Sequence, residues 1–378
     1  MRHGLLFLAL LLPIATWADE RCSWSHWASF KAAYIESGRV IDRSDPRQIT
    51  TSEGQSYGMF FALVANDRAS FDQLLHWTQG ELAAGDLGAY LPAWLWGRIE
   101  QPASGSAKTS FGVLDNNSAA DSDLWIAYTL IEAGRLWQHY YYTSLGYLLL
   151  EQIRRYEVVD IPNLGLSVLP APKGFADGSG SFRLNPSYAP LQILDRFASL
   201  YPARDWQAIS ASTRRLIIQT MPKGYSPDWV KISPPYKTSN WVLDLGSYDA
   251  IRSYLWAGML ADSHPHKVEL MAAMKPMALA VKENGAPPEK INVSTGLYSG
   301  TGSAGFSAAL LPFLAQYDLP EVLGQQRQRA AAVWEPAIDK SRYYATVLAL
   351  FGTGWDQGYF RFSSDGALIP AWQSRCES

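Results

Sequence analysis

Hydrophobic and polar positions follow a helical period along most of the chain. Strand-like alternation is confined to two short stretches, 158–169 and 359–362, and the connecting segments carry Gly, Pro, Asn and Asp. The pattern therefore predicts an all-α chain with a few short strands in its loops. Apolar residues recur at three-to-four spacing in twelve segments, which we predict to be helices: 24–35, 57–65, 70–82, 121–137, 141–155, 190–200, 206–220, 248–261, 267–282, 304–316, 320–334 and 341–351.

Twelve helices joined by long loops are compatible with two arrangements of helix pairs. A closed ring of six helical hairpins would present its loops at one end as a cleft, whereas a solenoid would stack the pairs in an open row. Periodicity alone does not separate the two. No linker rich in Pro, Gly or Ser divides the chain, and 99–110 is predicted to be a surface loop. We predict one domain over residues 19–378.

The first 18 residues have the pattern of a signal peptide. Arg2 and His3 form a short basic start, 4–14 is nearly all apolar, and small residues lead up to Ala18. The apolar run is too short to span a bilayer, and no second long run follows it. We therefore expect cleavage after residue 18, export to the periplasm or the medium, and no stable membrane anchor.

The net charge and the cysteine content indicate which partners and which cellular compartment suit the chain. The net charge is −3 and no basic cluster stands out, which argues against a nucleic-acid partner. The two cysteines, Cys22 and Cys376, lie at opposite ends of the mature chain. In an oxidising compartment we expect a disulfide between them that ties the termini together. Two free thiols are the alternative.

Aromatic residues are abundant, with fifteen Trp and twenty Tyr. Several of them, such as Trp94, Tyr188 and Trp229, lie beside Pro, Ser or Asp in loop segments rather than in apolar runs. Any single Trp is more simply explained as core packing. As a group, however, loop-borne aromatic rings offer flat apolar faces with a polar edge. Sugar rings have matching apolar faces, so this group indicates a carbohydrate ligand.

Three acidic residues stand at the starts of apolar helical segments. Glu53 is the only charged residue between Arg47 and Asp67, and Asp121 and Asp249 have similar contexts. If the helices form a ring, their N-terminal ends meet at one cleft. A half-buried carboxyl group is unfavourable unless it is paired or kept neutral by a raised pKa. A neutral carboxylic acid is what general-acid catalysis requires.

Helix capping is the competing explanation for acids at helix starts. It competes evenly for Asp121 and Asp123, whereas Glu53 is preceded by two better caps. Asp249 stands three residues before Arg252, so an ion pair is the competing role there. Two opposed carboxyl groups in an aromatic-lined cleft fit glycoside hydrolysis, in which one protonates the leaving oxygen and the other activates water or attacks the sugar. That chemistry predicts no metal and no cofactor.

Eight motifs occur in order across nearly the whole mature chain: TTSEGQSYGM (50–59), LPAWLWG (91–97), NSAADSDLW (117–125), LNPSY (184–188), YSPDWV (225–230), SYDAIR (247–252), GFSAA (305–309) and LFGTGWD (350–356). With these motifs the chain resembles glycoside hydrolase family 8. The resemblance implies an (α/α)6 barrel of six helical hairpins and an inverting mechanism.

The resemblance also implies roles for individual residues. By position, Glu53 matches the general acid, Asp249 the general base, and Asp121 the aspartate that holds the sugar at the cleavage subsite. Arg252 resembles the arginine beside the base. An inverting pair implies that the two carboxyl groups lie roughly 6.5–9.5 Å apart. The residues similar to cleft-lining, substrate-binding positions are Tyr57, Trp94, Tyr188 and Trp229.

Within the family, the resemblance is to the periplasmic endo-β-1,4-glucanases encoded with bacterial cellulose synthase. It implies a cellulase that acts as a monomer on β-1,4-glucan during cellulose biosynthesis, with synthase or export subunits as partners. Two alternatives stay open. The same machinery fits chitosan, xylan or mixed-linkage glucan, and a glucan-binding accessory of the synthase belongs to a different functional class.

Overall fold

A computed structural model describes residues 23–99, 110–335 and 337–375. All twelve predicted helical segments are present, with α3 extended by a π-helical turn over Thr78–Leu82 and with α10 and α11 sharing the segment 304–316. In the described ranges the helices are α1 Ser25–Tyr34, α2 Ser52–Val64, α3 Arg68–Trp77, α4 Ala120–Leu136, α5 Tyr140–Tyr156, α6 Leu191–Leu200, α7 Trp206–Gln219, α8 Ile251–Met259, α9 Lys267–Asn284, α10 Ala304–Ala309, α11 Leu311–Leu314, α12 Pro320–Ala331, α13 Tyr343–Asp356 and α14 Trp372–Arg375.

The helices form an inner and an outer layer. The inner layer contains α2, α4, α6, α8, α10 with α11, and α13, and each packs against its neighbours in that order. Every residue of α2 except Glu53 is buried, as expected for a helix that is apolar on all sides. The outer helix α5, by contrast, buries one face and exposes Tyr140 and Leu148 on the other.

Aromatic contacts at the centre close the inner layer into a ring. Phe351 of α13, the last inner helix, lies 5.5 Å from Phe60 and 4.6 Å from Phe61 of α2, the first inner helix, between ring centroids. Trp125 of α4 and Trp256 of α8 complete the cluster at 5.3 and 5.1 Å from Phe351. A solenoid would leave its first and last pairs apart. The predicted all-α (α/α)6 barrel is therefore confirmed.

Glycine allows two inner helices to approach closely. A Cβ on Gly352 of α13 would lie 1.8 Å from the carbonyl oxygen of Ala308 in α10, and a Cβ on Gly305 would lie 2.6 Å from the Cα of Ala345. No side chain fits at these positions, so the backbones of α10 and α13 pack directly against each other.

Short strands lie in the loops and form six small antiparallel sheets in the part of the chain that the structure describes. The strands predicted in 158–169 and 359–362 are the hairpin β6–β7 and the strand β13. The remaining strands were not predicted, because most have only two or three residues, too few to show a period, and the pairs β3–β4 and β8–β9 join segments more than forty residues apart. The strands are β1 Ile35–Glu36, β2 Arg39–Val40, β3 Thr50–Thr51, β4 Leu95–Ile99, β5 Ser110–Asp115, β6 Val158–Ile161, β7 Gly165–Val168, β8 Phe182–Leu184, β9 Val230–Ile232, β10 Val242–Leu243, β11 Lys290–Ile291, β12 Tyr298–Ser299, β13 Phe360–Phe362 and β14 Leu368–Pro370.

Some predictions fall on segments that the structure does not describe. The signal peptide over 1–18, the pair Cys22 and Cys376, and most of the predicted loop 99–110 lie outside the described residues, and the two ends of that loop belong to β4 and β5. Within the described ranges, none of the helices combines the length and apolar character needed to cross a membrane.

Candidate active site

The N-terminal ends of the inner helices meet at one end of the ring and bring the three candidate carboxyl groups together. Glu53 lies in the first turn of α2, Asp121 lies in the first turn of α4, and Asp249 precedes α8 by two residues. Arg252 of α8 links two of them, because its Nη2 donates to Asp249 Oδ1 at 2.7 Å and its Nη1 to Asp121 Oδ2 at 3.5 Å. Their catalytic roles remain predictions.

Hydroxyl groups join the two helix starts beneath the carboxyl groups. The Ser52 and Ser122 hydroxyls lie 2.6 Å apart, so α2 and α4 are hydrogen-bonded at their first turns. The cap of α2 is Thr51, whose hydroxyl accepts the Gly54 N–H at 3.1 Å. Since Thr51 makes the cap, the Glu53 side chain is left available to the cleft.

The environment of Glu53 favours a protonated carboxyl group. Burial raises its pKa above the ordinary value, and the nearby Asp249 raises it further, while Arg252 and the Thr51 hydroxyl act in the opposite direction. Its Oε2 is buried and has no hydrogen-bond partner among the described residues. A neutral acid with one free oxygen in a cleft is suited to donate a proton.

Asp249 has a different environment. Its side chain is 32% exposed, and one oxygen is held by the Arg252 guanidinium, which is itself only 9% exposed. The Arg252 guanidinium also lies 5.4 Å from the centroid of the Tyr188 ring. A carboxylate oriented by a buried arginine and open to solvent is suited to accept a proton from water.

Asp121 lies deeper than the other two, with its side chain 3% exposed. Burial raises its pKa well above the ordinary value and the charge of Glu53 adds to this, whereas Arg252 lowers it. One oxygen accepts the Ser122 N–H at 2.9 Å and the other faces Arg252. Asp121 therefore accepts a hydrogen bond from the first turn of α4 and also contacts Arg252.

Asp123 does not cap α4, so that alternative is wrong for this residue. The N-cap position is Ala119, and Asp123 pairs instead with Glu157, the last residue of the turn that ends α5. Both carboxyl groups are fully buried, and Ser118 donates a hydrogen bond to Glu157. Burial raises the pKa of Glu157 to about 7 and that of Asp123 well above its ordinary value. Burial therefore favours the neutral form of both carboxyl groups.

The four predicted aromatic residues fall into two groups. Tyr57 is buried, with its ring 6.0 Å from Trp125 and 5.2 Å from Phe351 in edge-to-face contacts. Trp94 lies between two helix starts, because its carbonyl accepts the Ser52 N–H at 3.0 Å and its N–H donates to a residue just before α4. Tyr57 thus contributes to the core, whereas Trp94 is half-buried beside the starts of α2 and α4.

Tyr188 and Trp229 form the second group, next to Arg252. Their ring centroids are 5.5 Å apart in an edge-to-face contact. Trp229 also stacks on Phe175 at 5.7 Å, and the Arg183 guanidinium lies 4.5 Å from its centroid. These neighbours fix the Trp229 ring in one orientation beside the cleft.

Two residues near Asp249 were missed from the sequence. Tyr344, in the first turn of α13, donates from its hydroxyl to the Tyr248 carbonyl at 2.5 Å, and burial raises its pKa. Asp228 accepts backbone N–H groups from the loop that carries Asp249. The motif YSPDWV contained Asp228, but no local pattern separates a loop anchor from an ordinary surface aspartate.

A closed helical ring with three carboxyl groups brought together at one end provides the carboxyl pair that a glycoside hydrolase requires. In the described ranges, no group of three or more His, Cys, Asp or Glu is placed to hold a metal ion.

Comparison with known proteins identifies the family. Residues 6–358 match the family described as glycosyl hydrolases family 8. The endoglucanase of Escherichia coli strain K12 is 48% identical over 382 residues, covering 100% of this chain and 98% of the relative. The endoglucanase of Xanthomonas axonopodis pv. citri strain 306 is 43% identical over 371 residues, covering 97% and 94% respectively. The chain therefore belongs to glycoside hydrolase family 8.

Comparison with solved structures leads to the same family. The crystal structure of endo-1,4-D-glucanase from Vibrio fischeri ES114 superposes with a TM-score of 0.85 at 48% sequence identity, covering 93% of this chain and 99% of that chain. The endoglucanase Cel10 of Klebsiella pneumoniae, a family 8 glycosyl hydrolase, gives a TM-score of 0.69 at 25% identity, covering 88% and 99%.

Proposed function

We propose that the chain is an inverting endo-β-1,4-glucanase with Glu53 as general acid and Asp249 as general base. The observation that carries the proposal is the contrast between the two carboxyl groups. Glu53 has a raised pKa and an unpartnered oxygen, whereas Asp249 is bound to Arg252. The curated relatives named endoglucanase, at 43% to 48% identity over nearly the whole chain, support β-1,4-glucan as the substrate.

In this mechanism Glu53 transfers its proton to the glycosidic oxygen as the bond from the anomeric carbon to that oxygen breaks. Asp249 removes a proton from a water molecule, which attacks the anomeric carbon from the opposite face of the sugar. The product has inverted configuration, Glu53 ends ionised and Asp249 ends protonated. Asp121 holds the sugar at the cleavage position, and Arg252 keeps the Asp249 carboxylate oriented before the attack.

The experiment that tests the proposal is reducing-end release from carboxymethyl cellulose by wild type, Glu53→Gln and Asp249→Asn. We expect activity in wild type and a loss of about a thousandfold or more in each variant, since each would lack one of two required groups. Glu81→Gln is the matched control, because Glu81 is exposed on the π-helical turn after α3. Circular dichroism shows whether each variant is folded.

The stereochemistry of hydrolysis is tested by a separate measurement, the anomeric configuration of the first product. Proton NMR recorded early in the hydrolysis of a cello-oligosaccharide should show the α-anomer accumulating first, as inversion of a β-linkage requires. Initial accumulation of the β-anomer would contradict the inverting mechanism while leaving the glucanase activity intact.

Substrate choice is tested by the same assay on chitosan, xylan and mixed-linkage glucan. Higher turnover on one of these than on carboxymethyl cellulose would replace the β-1,4-glucan assignment. A folded wild type that is inactive on all four polymers but binds cello-oligosaccharide in calorimetry would favour a glucan-binding accessory of a synthase.

We further propose that the protein is exported to the periplasm and acts on glucan during bacterial cellulose synthesis. The signal-like pattern of residues 1–18 and the sequence resemblance described above support this. N-terminal sequencing of protein recovered from a periplasmic extract should begin at Asp19. Recovery of a chain that begins at Met1 in the cytoplasmic fraction would contradict export.

A further inference from the structure

The proposed general base lies on a loop rather than in a helix. Asp249 falls between β10 and α8, in the segment 246–250. A side chain on a helix is positioned by the helix, but a side chain on a loop is positioned by whatever anchors the loop. The anchors of this loop therefore decide where the Asp249 carboxylate points.

One oxygen atom holds the centre of the loop. Asp228 Oδ1 accepts three backbone N–H groups, from Ser247 at 2.8 Å, from Asp249 itself at 3.1 Å and from Ala250 at 2.7 Å. Hydrogen bonds to an ionised carboxylate are stronger than those between neutral groups. Three of them converging on a single atom restrict the backbone on both sides of the proposed base.

Asp228 is itself fixed by the adjoining sheet. Its N–H donates to the Leu245 carbonyl at 2.8 Å, and the Asp244 N–H donates to the Trp229 carbonyl at 2.9 Å. These bonds continue the antiparallel pairing of β9 with β10. Asp228 and the neighbouring Trp229 therefore lie directly before β9 and are hydrogen-bonded to the segment that follows β10.

The other anchors hold the ends of the loop. Gly246 exchanges two backbone hydrogen bonds with Ile291 at 2.8 and 2.9 Å, and the Ser247 hydroxyl donates to the Glu289 carbonyl at 2.8 Å. Tyr344 donates to the carbonyl of Tyr248. The Asp249 N–H itself donates to Asp228.

We propose that Asp228 is a positioning residue for the general base, which holds Asp249 in place by accepting the N–H groups of its loop. The inference rests on the proposed function, because it requires that Asp249 acts on water. It assigns Asp228 no contact with the substrate. An asparagine at this position keeps an oxygen acceptor but loses the charge, so it should preserve part of the effect.

The test measures kcat and KM on soluble glucan for wild type, Asp228→Ala and Asp228→Asn. A displacement of the base by about 1 Å is expected to lower kcat about a hundredfold in Asp228→Ala, while KM stays within about threefold. Asp228→Asn keeps an oxygen at the position of Oδ1, so we expect its kcat within about tenfold of wild type. If Asp228 acted on catalysis only through its charge, Asp228→Asn would lose as much activity as Asp228→Ala.

Asp67→Ala is the matched control. The Asp67 carboxylate caps α3 by accepting the Ser70 N–H at 3.1 Å and also binds Trp27 and Lys31, at the start of an outer helix. Loss of this cap is expected to lower the melting temperature without lowering kcat. If Asp67→Ala and Asp228→Ala lose the same fraction of activity, the effect is general destabilisation and the inference is wrong.

Amide hydrogen exchange measures how firmly the Asp249 loop is held, independently of catalytic activity. The N–H groups of Ser247, Asp249 and Ala250 should exchange faster in Asp228→Ala than in wild type, and at the wild-type rate in Asp67→Ala. Unchanged exchange in Asp228→Ala overturns the inference, as does a variant whose KM rises while kcat is unchanged.

The two proposals fail in different ways. If wild type is active and Asp249→Asn is inactive, but Asp228→Ala keeps its kcat, the inference alone fails and the proposed function stands. If Asp249→Asn is as active as wild type, Asp249 is not the base, and both the proposed role of Asp249 and the inference that depends on it are wrong.

Discussion

Replacing Glu157 by glutamine is expected to make the stability of this enzyme less dependent on pH. Glu157 is fully buried beside Asp123 and is not balanced by an arginine among the described contacts. Burial raises its pKa to about 7, from an ordinary value of 4.5. The folded protein therefore binds this proton more tightly than the unfolded chain does. Glutamine has the shape of the protonated form and still accepts a hydrogen bond from Ser118.

The sign and size of the effect follow from proton linkage. Because the folded pKa of Glu157 is the higher one, its stabilising contribution is complete below pH 4.5 and is lost as the pH rises to about 7. One pKa unit corresponds to about 1.4 kcal/mol, so the loss amounts to about 3 kcal/mol. For a folded chain of about 350 residues this corresponds to roughly 4 °C in melting temperature.

The assay is thermal unfolding of wild type and Glu157→Gln between pH 4.5 and 7.5. The variant should gain about 3 kcal/mol relative to wild type across this range. Parallel curves would refute the reasoning, because they would mean that Glu157 titrates alike in the folded and unfolded chains. Glu132→Gln is the contrasting variant: Glu132 is equally buried but paired with Arg196 at 2.8 Å. Glu132→Gln removes the buried charge that Arg196 and Arg135 share, which should cost about 3–5 kcal/mol at pH 7.

Four further predictions concern helix packing, the loop of the proposed base and the termini. Gly352→Ala should lose about 3 kcal/mol of stability by overpacking, since its Cβ would lie 1.8 Å from a carbonyl of α10. Gly324→Ala should gain about 0.5–1 kcal/mol, because no atom lies within 4 Å of its Cβ; equal melting temperatures would contradict both. Tyr344→Phe should lower kcat about tenfold by freeing the carbonyl beside the base, and an unchanged kcat would exclude this role. Non-reducing peptide mapping should recover Cys22 linked to Cys376, whereas two alkylated thiols would contradict the disulfide.

The helices were predictable because their signal is local. An apolar period of three to four residues records which face of a segment is buried, and all twelve segments with that period are helical. The two-residue strands β1, β2 and β3 carry no comparable signal. A pair such as β3–β4 depends on a partner more than forty residues away, so no window of sequence contains both halves of it.

The identities of the candidate site residues were predictable from residue type and position in the sequence. Glu53 was identifiable as an isolated charge in an apolar helix, and Asp249 and Arg252 lie three residues apart. Their environments were not predictable, since burial, the main cause of the raised pKa of Glu53, depends on all the helices that surround it. The sequence could not show that Asp123 lies beside Glu157 instead of capping α4, because the two residues are 34 positions apart.

The sequence by itself determined the helices, their order and the residue types at their starts, because helix formation depends on contacts within a few residues. Only the tertiary structure decided that the ring closes, through Phe351 against α2, and that Asp228 meets Asp249. Those contacts join residues that are far apart in the chain. The first depends on the packing of several helices together and the second on the pairing of β9 with β10, and no local pattern records either.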